Sequence, residues 1–218
     1  SYVMRNRLFF FAGILSFVSA FFVVAGLLVS YVLTPTPPQN VQSIEDVSET
    51  FIFLFSPVLL LPAILAVYRL LFQDYPRLAL FSLILGLIGF GGLLAWSVLT
   101  VFTIPTFAGD QTVVYVEVML MGLWTLITAV AILVFESKNF VLGEGRSYFY
   151  GFLFLSGLVC GLAMILYSWS ILMTQPVRGV TNLSILIWLI TYPFWLIGLG
   201  LCLLNYSREP ALLITNKT

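Results

Sequence analysis

Residues 78–104, "LALFSLILGLIGFGGLLAWSVLTVFTI", run without one charged side chain. As an α-helix such a stretch is about 40 Å long, more than the ~30 Å hydrocarbon core of a bilayer. Its glycines, "GLIGFGG", sit inside the apolar run instead of between a soluble strand and a helix, so they do not form a nucleotide-binding loop. The stretch reads as a membrane helix.

Five further apolar segments share this character, at 9–33, 51–72, 113–135, 149–174 and 183–205. Of the 218 residues, 61% are hydrophobic and 8% charged, where a soluble domain carries roughly a quarter charged. The expectation is an all-α, polytopic membrane protein: one domain over 1–218, six transmembrane helices in one bundle. Little chain is left for anything else. In "TPTPPQNVQSIEDVSE", 34–49, the prolines stop the first helix and "SIED" starts a short capped surface helix. "QDYPR" is a tight turn with Pro76 opening the next helix, and Gly143 and Gly145 favour a turn between the fourth and fifth spans. The first run is too long for a signal-peptide core and has no small-residue cleavage site behind it, so it reads as a retained helix.

Basic residues set the expected orientation. Arg5, Arg7, Arg69, Arg77, Lys138, Arg146, Arg208 and Lys217 fall on one side of a six-span arrangement and Arg178 alone on the other, which places both termini in the cytoplasm. The opposite side carries Glu45, Asp46, Glu49 and Asp110. A bacterial-type plasma membrane fits this bias. Tyr31, Tyr115, Trp169 and Trp188 are expected as aromatic anchors at the outer ends, and Phe9, Tyr68, Tyr148 and Tyr206 at the inner ends. Trp124 and Trp195 lie deeper and are expected to pack.

Small residues mark helix contacts. Ala12, Ser16 and Ala20 recur every four residues, Gly86 and Gly89 sit with Gly91 and Gly92 in the third span, and Gly157 and Gly161 repeat in the fifth. Such faces let another backbone approach closely, either within the chain or from a partner. Pro57, Pro62 and Pro193 fall inside helical patterns, where each removes a backbone donor and bends the helix.

Chemistry-bearing residues are few. Glu117 is the acid inside a span as delimited here, about 6 Å below its outer end. At that depth it reads as an interfacial group, an ion pair with Arg178 near Asp110, or a partner contact; binding of a cation, proton or substrate is the sharper alternative. Ser97, Thr100 and Thr103, with Thr125 and Thr128, are the hydroxyls that a polar vestibule would use. The chain has no histidine, which removes the commonest metal ligand and the parts of a Ser or Cys triad. Cys160 and Cys202 lie in apolar runs and read as small core residues. No enzyme activity, metal or cofactor is expected. A net charge of zero argues against nucleic acid. Bound lipid is expected, and a flat pigment ring among the Phe-rich helices is an alternative. The leading expectation is a non-catalytic accessory or scaffold subunit that meets other integral membrane subunits. A small transporter or channel using the Pro-bent helices and the outer polar cluster comes second, and a lipid- or pigment-binding module third.

Overall fold

The computed structural model describes residues 2–31, 55–102, 112–139, 144–173 and 178–208. Every regular element there is a helix: α1 (Tyr2–Tyr31), α2 (Ser56–Phe72), α3 (Pro76–Phe102), α4 (Thr112–Asn139), α5 (Glu144–Leu172) and α6 (Arg178–Arg208). Five of the six contain a stretch long and apolar enough to cross a membrane, and α2 is a shorter apolar helix of 17 residues. The 34–49 segment with its expected short helix lies outside the described residues, as does Asp110.

The helices pack in chain order, each against its predecessor, and α1 closes the ring against α6. Residues 73–75 alone separate α2 from α3, which makes these two neighbours antiparallel. At the α2–α3 turn the Tyr75 amide donates to the Leu71 carbonyl at 2.8 Å and the Ala79 amide to the Tyr75 carbonyl at 2.9 Å. Pro76, which needs no donor, opens α3.

Inside the ring lie Leu60, Ile64, Phe90, Trp124, Ile132 and Trp195, all fully buried. Outside, Phe21, Leu80, Leu155, Ile190 and Phe194 are exposed, and this surface is as apolar as the interior. Burial from lipid brings no hydrophobic gain, so the helices must be held by close packing. Two pairs of glycines supply it. A methyl group on Gly161 of α5 would stand 2.7 Å from the Gly122 carbonyl of α4, and one on Gly200 of α6 would stand 2.9 Å from the Gly13 carbonyl of α1. Only backbones without side chains at the contact fit.

Gly86, Gly89, Gly92, Gly157 and Gly161 lie on interhelical contacts within the chain, whereas an added methyl group at Gly91 would meet nothing within 4 Å. Ala12, Ser16 and Ala20 are buried, and Gly157 leaves room for the Trp195 indole and Ala129. Pro57 is in the first turn of α2, while Pro62 and Pro193 are interior to α2 and α6. The aromatic belt is only half external. Tyr148 and Trp169 are exposed, whereas Trp188, Phe9 and Tyr206 turn into the bundle.

Gly161→Leu should strip this packing and lower the melting temperature in detergent, since overpacking costs about 1–3 kcal/mol even at forgiving sites. Gly151→Leu, where an added side chain meets nothing within 4 Å, should melt like the parent.

Candidate functional site

The unusual polar feature is the seam between α3 and α4. Gly86, Gly89 and Gly92 open gaps along α3, and successive turns of α4 fill them with Trp124, Met121 and Glu117. A methyl group on Gly86 would stand 2.9 Å from the Trp124 indole, and one on Gly89 would stand 2.9 Å from the Met121 amide nitrogen. At Gly92 it would collide with the Glu117 carboxylate. The acid thus lies against bare backbone. One turn further from Glu117 along each helix come Ser82 of α3 and Thr128 of α4, 1% and 0% exposed.

Four buried polar atoms of this seam have no hydrogen-bond partner: Glu117 Oε2, Trp124 Nε1, Thr128 Oγ1 and Ser82 Oγ. Most other membrane hydroxyls return to their own helix, the usual way to satisfy them. Thr125 donates to the Met121 carbonyl at 2.9 Å, Ser97 to Leu93 at 2.8 Å and Thr191 to Ile187 at 2.7 Å. Thr128 and Ser82 depart from that habit. An unsatisfied polar group in a non-aqueous interior costs several kcal/mol; Ser168 of α5 and Trp188, Tyr192 and Trp195 of α6 hold further such atoms, and what sets the α3–α4 seam apart is its carboxylate.

A second polar node joins the middle of the ring. The Ser19 hydroxyl of α1 meets Ser56 of α2 at 2.6 Å between side chains, and the Tyr192 hydroxyl of α6 faces Ser56 and Cys160 of α5. Both cysteines are buried free thiols on different helices.

The third node was not legible from the apolar run alone. With the fourth span ended at 135, Glu136 reads as part of a linker; in fact α4 continues to Asn139 and Glu136 is fully buried. It accepts a 2.5 Å hydrogen bond from the Tyr206 hydroxyl of α6. Phe9 and Phe135 stack edge-on against the Tyr206 ring at 6.3 and 5.7 Å. The missed signal is periodicity: Met121, Thr125, Thr128, Ile132 and Phe135 mark one buried stripe, and Glu136 borders its next turn.

Glu117 and Arg178 are not brought together as an ion pair; Arg178 is exposed at the first residue of α6. The Ser97 hydroxyl is occupied by its own helix, and the side chain of Thr100 lies outside the described residues, as does Thr103. Among the described residues no three Cys, Asp or Glu side chains converge as a metal-ligand group.

Tyr206→Phe removes a donor from a fully buried carboxylate and should destabilise the bundle by about 1–3 kcal/mol. The Tyr206→Phe/Glu136→Gln double variant should lose less than the sum of the two single losses, as a double-mutant cycle in detergent melts will register. Compared with protein-family models, curated proteins and solved structures, the chain finds no significant match in any of the three.

Proposed function

We propose that this chain is a small six-crossing membrane transporter whose pathway follows the α3–α4 seam and whose ion-binding group is Glu117. One observation carries this reading: Glu117 Oε2 is buried without a hydrogen-bond partner. A lone carboxylate within a membrane span is costly as an anion, and it is satisfied when it takes a proton or a cation. The unpartnered Thr128 and Ser82 hydroxyls extend the same seam across the bundle. Both termini lie in the cytoplasm in this proposal, on the side of the basic residues, with α2 as the sixth crossing.

The transport reading moves ahead of the accessory-subunit reading because Gly86, Gly89, Gly92, Gly157 and Gly161, which a partner could have used, are engaged within the chain. Lipid covers the apolar outer surface. The pigment reading gains no support from the described side chains.

The test is ion flux into liposomes holding the purified protein. Glu117→Gln should reduce cation or proton entry at least tenfold, and Gly92→Ala, which drives a methyl group into the carboxylate, should reduce it severalfold. If the parent protein moves no ion while native mass spectrometry of membrane extracts finds a stoichiometric integral partner, the accessory-subunit reading replaces transport. For orientation, a cysteine placed at Lys217 in a Cys160→Ala/Cys202→Ala background should react with an impermeant maleimide only after cells are opened. Labelling of intact cells would reverse the topology.

A further inference from the structure

Resting on the transport reading, we propose that the species moved is the proton and that Glu136, held by Tyr206, is its second station at the opposite end of α4. From Glu117 to Glu136 the helix advances about 28 Å, close to the ~30 Å of a hydrocarbon core. One membrane helix therefore carries a carboxylate near each end, Glu117 half-buried with its Oε2 atom covered and Glu136 fully buried. Between them stand the Thr128 and Ser82 hydroxyls, buried and unpartnered.

The donor set separates a proton from a metal ion. Calcium takes 6–8 oxygen ligands and magnesium needs near-ideal octahedral geometry, whereas the seam offers one carboxylate at Gly92 and single hydroxyls turns away. A proton needs one acceptor at each step. Carboxylates and hydroxyls both accept and release protons; the Trp124 indole only donates, so it lines the route without carrying it. Stations beyond direct hydrogen-bond reach require water between them, which must enter past Met121 and Trp124 as the seam opens. Large organic cations do not fit, because Met121 and Trp124 fill the glycine gaps at van der Waals contact or closer.

The second station is bounded by named groups. Around Tyr206 stand Cys202 of its own helix, Tyr150 of α5 and Glu136 of α4, and the Phe9 ring of α1 closes the side toward that helix. The Tyr206 hydroxyl donates to Glu136 Oε1, so a proton arriving at that oxygen must compete with the donor already there. Tyr206 sets the occupancy of the station and is a positioning residue. Each proton crossing carries one positive charge, which a potassium current through valinomycin balances in the test.

The experiment is proton uptake by proteoliposomes under a valinomycin potential, read with an entrapped pH dye, with sodium uptake measured in parallel. The proposal expects proton entry without sodium entry, at least a tenfold loss in both Glu117→Gln and Glu136→Gln, retained flux in Glu136→Asp, and a severalfold change in Tyr206→Phe. Sodium flux abolished by Glu117→Gln, with no proton flux, would overturn the proton assignment and leave transport standing. Absence of any flux in the parent would overturn transport itself. Full proton flux in folded Glu136→Gln, with Glu117→Gln inactive, would remove the second station alone. Should Glu136→Gln fail to fold, parental rates in both Glu136→Asp and Tyr206→Phe would overturn that station, and slowed flux in Tyr206→Phe would support it.

Discussion

Everything in this fold depends on how closely two helix backbones approach when lipid surrounds them. Gly122 faces Gly161 and Gly13 faces Gly200, each near the other's carbonyl oxygen. These contacts set the α4–α5 and α1–α6 distances. Apolar side chains on the outside gain nothing by turning inward, because lipid tails receive them equally well. The ring is therefore selected by steric fit. The same rule explains α3, whose glycines make gaps instead of backbone contacts and let one face of α4 insert large side chains. Where the inserted side chain is Trp124 or Met121, the gap is filled by packing. Where it is Glu117, the same geometry puts a charged group beside bare backbone.

The helices were legible because the bilayer demands long apolar runs and little else. The Gln73–Tyr75 turn leaves α2 and α3 only an antiparallel arrangement, whereas the α1–α2 and α1–α6 contacts are not dictated by short connections. The side chains were harder. Trp188 and Tyr206 occupy chain positions near helix ends, where a belt residue is normal, yet both rotate inward; rotation about a helix axis is set by the neighbours. Hydropathy is nearly the same on all faces of these helices, so it carries little rotational information. Polar residues carry more. Glu136 escaped because a boundary drawn at the last apolar residue assigns everything beyond it to water, whereas a helix keeps its inner face for further turns. The pairing of Glu117 with Gly92 needed three dimensions, for no local pattern joins an acid on one helix to a gap on the next.

The polar interior also divides by how each hydroxyl is satisfied. Ser16, Thr125 and Thr191 bond back to their own helices and are quiet members of the core. Ser19 and Ser56 satisfy each other across two helices and tie α1 to α2 where packing of small side chains alone would permit sliding. Thr128, Ser82 and Ser168 do neither. These three behaviours of one chemical group separate local bonding, interhelical cohesion and unpartnered hydroxyls, two of which lie on the seam that the transport proposal uses.

Packing in chain order has a consequence for biogenesis. Each helix from α2 onward packs against the helix made just before it, so that contact can form as soon as the helix leaves the insertion machinery. Such nearest-neighbour contacts demand little loop closure and favour rapid assembly. The α1–α6 contact is the exception, joining the first and last described helices. Gly13 can meet Gly200 only once α6 has been inserted, so the closing of the circle waits for the last of the described helices.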